Sequence, residues 1–233
     1  MFAVVQFPGS NDDRDTVFAL KSVMGADARL VWHADARLPA GTRGVILPGG
    51  FSYGDYLRCG AMAGLSPLLA DVQRFAQAGG PVLGICNGFQ ILCEAGLLPG
   101  VLVRNHHLHF VCETVHVRVE RAAAPFTSRA SIGDVLRIPI KHAEGAYSAS
   151  AEQLDRIEAR GQVVLRYCDA DAAVTPAANP NGAVANIAGV VNEAGNVFGL
   201  MPHPEHAVEG GIGGLDGRVI LGSMVDAVMA GAR

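Results

Sequence analysis

Residues 81–90 read PVLGICNGFQ: a short apolar run closing on Cys86, then Asn87-Gly88, then a stretch at 89–94 that suits a helix. A compact apolar run stopped by a sharp turn reads as a buried parallel strand. A strand passing at once into a helix is the repeating unit of a doubly wound α/β sheet. Cys86 then stands at the carboxyl edge of the sheet, where open α/β folds place their ligands. Gly84 and Gly88 flank it, as a tight elbow with close chain approaches requires. Two readings of Cys86 are open: a small buried apolar side chain, or a nucleophile presented on a strand-to-helix turn.

The same alternation extends outward. Residues 2–7 form an apolar run stopped by Pro8-Gly9, after which Ser10 or Asn11 can cap a helix whose first turn carries Asp12 and Asp13. Residues 29–33 and 44–47 read as further parallel strands, and 61–78 has helical apolar spacing before Gly79-Gly80-Pro81 stops it. The second half is more extended. Strands are predicted within 107–120, 135–140, 163–167, 183–191 and 196–200, with a hairpin turn at 192–195, a surface loop at 175–181 and a last helix over 215–229. The expectation is one domain over 1–233, α/β, in three layers, with a mostly parallel central sheet and added antiparallel strands.

Of the 233 residues, 50% are hydrophobic and 17% charged, which favours a sheet buried on both faces or a surface committed to a partner. Net charge is -4 and no Lys/Arg block occurs, which argues against nucleic acid and anionic membrane as partners. The N-terminus, MFAVVQFPGSNDDRD, has no basic leader and its apolar run breaks at Pro8, so a cytoplasmic location is expected. Cysteines 59, 86, 93, 112 and 168 are odd in number, irregularly spaced and without a CxxC pair, so neither disulfides nor a cysteine zinc site is expected. His106, His107 and His109 lack the neighbouring ligands zinc needs and are read as metal-free.

A nucleophilic cysteine needs a base. MPHPEH at 201–206 follows the strand ending at Leu200, and alternate residues of an extended chain share a face, so His203 and Glu205 can act as base and orienter. His206 falls on the opposite face and is read as a spectator or a local hydrogen bonder. The loop LPGGFSYGD at 47–55 should emerge at the same sheet edge, and the backbone N–H of Gly50 or Phe51, with that of Asn87, could receive an oxyanion. Neither GxGxxG nor GxxxxGK[ST] spacing is present, so this is not a phosphate loop.

GICNGFQ together with PHPE resembles the class I glutamine amidotransferase family, whose fold is flavodoxin-like. FPGSNDDRD, GGFSYGDYLRCGA, GICNGFQIL and HAEGAY are similar to one branch of it, the glutaminase subunits of phosphoribosylformylglycinamidine synthases. The resemblance covers essentially the whole chain. It implies a catalytic set of Cys86, His203 and Glu205, an oxyanion loop at Gly50 and Phe51, and Gln90 beside the glutamine pocket. It further implies that ammonia released from glutamine passes to a large ATP-dependent synthetase subunit, with a further small subunit. ATP and Mg²⁺ would be used by that partner and no cofactor by this chain. Asp55, Arg58, His142 and Glu144 are then candidates for a partner-facing rim or channel. Two positions depart from the family: Asp12 stands where a cysteine is common, and HAEG where HGEG is common.

Overall fold

The computed structural model describes residues 1–122 and 125–231. Along the chain these form β1 (Phe2–Gln6), α1 (Asp13–Phe18), β2 (Ala28–Trp32), β3 (Gly44–Leu47), α2 (Pro67–Gln77), β4 (Val82–Ile85) and α3 (Asn87–Glu94). They continue with β5 (Val101–Val103), β6 (Val111–Val119), β7 (Val135–His142), β8 (Ala146–Ser148), α4 (Ala151–Ala159), β9 (Val163–Cys168), β10 (Ile187–Val191), β11 (Val197–Leu200) and α5 (Gly217–Ala230).

Nine strands make the main sheet in the order β2-β1-β3-β4-β11-β10-β9-β6-β7, and β5 pairs with β8 separately. From β2 to β11 the neighbours are parallel; from β11 to β7 they are antiparallel. The fold is thus α/β, with a parallel core extended by antiparallel strands. Every residue of β3, β4 and β11 is buried, which is why these strands read as unbroken apolar runs rather than alternating ones. β10 and β11 form the hairpin that the 192–195 turn predicts.

Parallel strands share one carboxyl edge. The segments leaving β1, β3, β4 and β11 therefore converge, bringing Asp12, Gly49–Gly50, Cys86 and His203 to one place. β7 comes last in the sheet order, yet it arrives there too: His203 N–H donates to Pro139 O at 2.8 Å, and Cys86 Sγ lies 3.8 Å from Lys141 O. The antiparallel half must curl back over the edge, as strongly twisted sheets do.

Several elements differ from the sequence reading. The 61–78 helix is two pieces, a 3-10 turn at Met62–Leu65 and then α2, because Ser66 is extended before Pro67, which takes the first helical position. α1 starts one residue beyond Asp12, and neither Ser10 nor Asn11 caps it: Ser10 Oγ accepts from Phe7 N–H at 3.0 Å instead. Residues 107–110 are loop, β6 beginning only at Val111. α4 is additional. It buries only Ile157, so its apolar stripe is slight, but Ser150 Oγ accepts from Gln153 N–H at 3.2 Å as an N-cap.

Candidate active site

Cys86 sits between β4 and α3 at φ 49°, ψ -104°, a conformation that costs a non-glycine residue about 1–3 kcal/mol. Its backbone is pinned on both sides, Cys86 N–H to Leu200 O at 2.8 Å and Gln90 N–H to Cys86 O at 3.1 Å. Gly88 permits the elbow: a Cβ there would fall 1.9 Å from Leu47 O, so only glycine lets α3 lie this close to β3. The strained turn aims the sulfur of Cys86, a residue only 5% exposed, into a cavity of about 120 Å³.

His203 and Glu205 meet at that sulfur. His203 Nδ1 and Glu205 Oε1 are 2.6 Å apart and both residues are buried. The carboxylate accepts a hydrogen bond from Nδ1–H, which leaves Nε2 as the ring nitrogen on the cavity side. Nε2 makes no hydrogen bond of ordinary geometry; the charge it senses in front is Cys86. Burial pulls the imidazole pKa down, but Glu205 and Cys86 outweigh it and hold it at about 10. A ring with an oriented proton, facing a sulfur, can pass that proton to a departing group.

The glycine loop lies against the same cavity. Gly50 and Phe51 line it, and Asn87 is the first residue of α3, whose opening N–H groups have no acceptor within the helix. The structure divides the two loop amides: Phe51 N–H is already given to Gly9 O at 2.8 Å, which leaves Gly50 and Asn87 as candidate donors. The side chain of Asn87 braces this loop, its Oδ1 accepting from Ser52 N–H at 3.2 Å and its Nδ2 donating to Gln90 Oε1 at 2.8 Å. Gln90 Nε2 in turn donates to Glu144 O at 2.6 Å, tying the nucleophile helix to the segment after β7.

Asp55, His142 and Glu144 line the cavity, whereas Arg58 is outside it and paired with Glu94. His142 is the buried last residue of β7, and burial, with the positive charge of His203, pushes its pKa down to about 4. Burial raises the Asp55 carboxyl, and the negative charge of Glu144 adds to it. The cavity holds a second thiol, Cys59, which burial and the carboxylates of Glu144 and Asp55 push far up, so that it stays protonated.

Two residues that sequence reasoning missed stand behind His203. Asp12, 2% exposed, has Oδ2 3.7 Å from His203 Nδ1, while Oδ1 accepts from Lys141 Nζ and from His206 Nε2, the latter at 3.0 Å. His206 is thus bonded across the fold rather than locally. The convergence of loops after parallel strands was the signal for Asp12, since it follows β1. Nothing in the sequence marks Lys141. Among the described residues, Asp12, His203, Glu205 and His206 also form the one group of metal-ligand type, with atoms within 4.8 Å, but the Lys141 ammonium on Asp12 already supplies a cation there. His106, His107 and His109 are not in that group; His107 and His109 stack on each other, and His107 Nε2 pairs with Pro180 O at 3.1 Å.

The family model described as a CobB/CobQ-like glutamine amidotransferase domain matches residues 1–212. The chain is 58% identical over 227 residues to a phosphoribosylformylglycinamidine synthase subunit PurQ of Salinibacter ruber, covering 97% of this chain and 96% of that one. It is 55% identical over 225 residues to the PurQ subunit of Moorella thermoacetica, covering 97% and 95%. Among solved structures, a chain of PurLQS from Thermotoga maritima superposes with a TM-score of 0.85 at 43% identity, covering 97% of each chain.

Proposed function

This chain belongs to the glutamine amidotransferases, in the branch of PurQ glutaminase subunits of phosphoribosylformylglycinamidine synthase, and from that premise we propose how its residues do the work. It hydrolyses glutamine and delivers ammonia to a large synthetase subunit, with a further small subunit in the complex, for a step of purine biosynthesis. ATP and Mg²⁺ belong to the synthetase, which aminates formylglycinamide ribonucleotide. The whole of 1–233 acts as one glutaminase domain. Its location is cytoplasmic: the free cysteines fit a reducing compartment, and among the described residues no helix is long and apolar enough to cross a membrane.

His203 Nε2 takes the thiol proton as Cys86 Sγ attacks the side-chain amide carbon of glutamine, and the carbonyl oxygen gains charge between the N–H groups of Gly50 and Asn87. Collapse of the tetrahedral adduct breaks the C–N bond, and His203 Nε2–H protonates the nitrogen as it leaves as ammonia. A γ-glutamyl thioester remains on Cys86. His203 then takes a proton from water, whose oxygen attacks the thioester carbonyl, releasing glutamate and the sulfur. Glu205 keeps the ring in one tautomer throughout. Phe51 and Gln90 shape the glutamine pocket, Gln90 by holding the Glu144 segment in place. Asp55, His142 and Glu144 belong to this pocket's wall, while Arg58 lies on the rim toward the partner.

The carrying observation is a strained, glycine-flanked Cys86 opposite a buried His203–Glu205 pair at 2.6 Å. In the assembled complex, Cys86→Ala should lower glutamine-dependent synthesis by roughly 10⁴-fold or more while ammonia-dependent synthesis continues. Surviving glutamine-dependent turnover would remove Cys86 from the mechanism.

A further inference from the structure

Asp12 occupies the cap position of α1 but its side chain makes no cap hydrogen bond. It turns inward instead, at the cost of burying a carboxylate, which persists only where cations or donors meet it. Its two oxygens have separate duties: Oδ1 holds Lys141 Nζ and His206 Nε2, and Oδ2 faces His203 Nδ1 at 3.7 Å. Gly49 provides the space, since a Cβ there would meet Asp12 Oδ2 at 2.5 Å and His203 Cε1 at 2.7 Å. Lys141 touches both ends of the reacting pair, its backbone carbonyl 3.8 Å from Cys86 Sγ and its ammonium on the carboxylate behind the base.

We propose that Asp12 and Lys141 are positioning residues for His203: a buried carboxylate and the half-buried ammonium it holds, whose opposed charges, set behind the ring, fix its orientation and balance its hold on a proton. This rests on His203 being the base.

The groups facing His203 are Glu205 and His206 from its own segment, Asp12 from the start of α1, Cys86 from the elbow and His142 from the end of β7, with Lys141 reaching it through Asp12. Glu205 alone orients Nδ1. With Asp12 unpaired as well, two carboxylates would grip the imidazolium and make it a poor donor to departing ammonia. With Lys141 unpaired, a second cation close by would drive the ring proton off. The pair keeps the local charge between these extremes. Asp12 is itself held well below the usual carboxylate range: burial opposes ionisation, but His206, His203 and Lys141 together outweigh it.

The charges oppose, so the two single variants must move the base in opposite directions. Ring titration of His203 by NMR in the full chain should show its pKa lowered by roughly one unit or more in Asp12→Asn. In Lys141→Met it should be raised, and in the double variant it should return toward the parent value. In the assembled complex, Asp12→Asn should lower kcat for glutamine hydrolysis about tenfold, with KM within about twofold, and the double variant should recover most of the loss. If Asp12→Asn leaves the ring titration in place, or if Lys141→Met fails to raise it, the pair is packing alone and the proposal fails. If Asp12→Asn does not fold, Lys141→Met and the double variant still decide. Failure of the underlying assignment looks different: His203→Ala would keep full glutaminase activity.

Discussion

Two histidines in one site are held at opposite ends of the imidazole range, and the difference lies in what each one faces. His203 is held near 10 by Glu205 and Cys86 against the effect of burial. His142, four-sided by protein and close to a charged His203, is held near 4, with Nδ1 3.1 Å from Asn105 Oδ1. Their linkage to folding has opposite signs. Unfolding returns both to about 6.5. His142 binds its proton more readily when unfolded, so its contribution is complete above pH 6.5 and lost as pH falls toward 4. His203 binds its proton more readily when folded, so its contribution is complete below pH 6.5 and lost as pH rises toward 10. Urea unfolding of the wild type and His142→Gln should therefore differ by an amount that shrinks on acidification, by up to about 1.4 kcal/mol per pH unit between roughly 6.5 and 4. A pH-independent difference would mean that His142 does not enter the unfolded state as a stronger base.

The β4–α3 element is where backbone geometry becomes chemistry, and its glycines carry that burden unequally. Gly88→Ala puts a methyl 1.9 Å from the Leu47 carbonyl, so α3 or β3 must move, and the nucleophile with it. Chemical denaturation should show a loss of about 1–3 kcal/mol or more, with glutaminase activity falling further than stability alone requires. Gly64→Ala, with nothing within 4 Å of its Cβ, is the control and should stay within about 0.5 kcal/mol. A Gly88→Ala chain as stable and active as the control would contradict the close approach. The elbow was legible in the sequence because strand, cysteine and glycines are contiguous, and His203 with Glu205 because prolines and period-2 spacing put both on one face. Asp12, Lys141 and the division of labour between the Gly50 and Phe51 amides were not, because each depends on contacts between segments far apart in sequence. Asp12 and Lys141 are 129 positions apart, joined only when the antiparallel half curls back over the parallel edge. α4 lies outside the sequence reading for a local reason: Leu154 and Ile157 stand at helical spacing and Ser150 followed by Gln153 is a capping pattern, but nine residues make that signal short.

At the scale of the whole molecule the parallel half and the antiparallel half do different things. The parallel strands align four carboxyl ends and so assemble Cys86, His203 and the glycine loop from sequence-distant loops. The antiparallel strands close the site from the other side, with β7 delivering Pro139 O to the backbone of the base and Lys141 to the carboxylate behind it. The product proposed for such a site is ammonia, released as the amide carbon of glutamine passes to Cys86. The central claim is thus a glutamyl thioester on Cys86 during turnover. The direct measurement is to stop the complex with acid while it is consuming glutamine and to map modified peptides of this chain by mass spectrometry. The expected result is one glutamyl group on the peptide carrying Cys86, absent without glutamine and absent in Cys86→Ala. A glutamyl group on Cys59 instead, or undiminished ammonia release from glutamine by the Cys86→Ala complex, would contradict it.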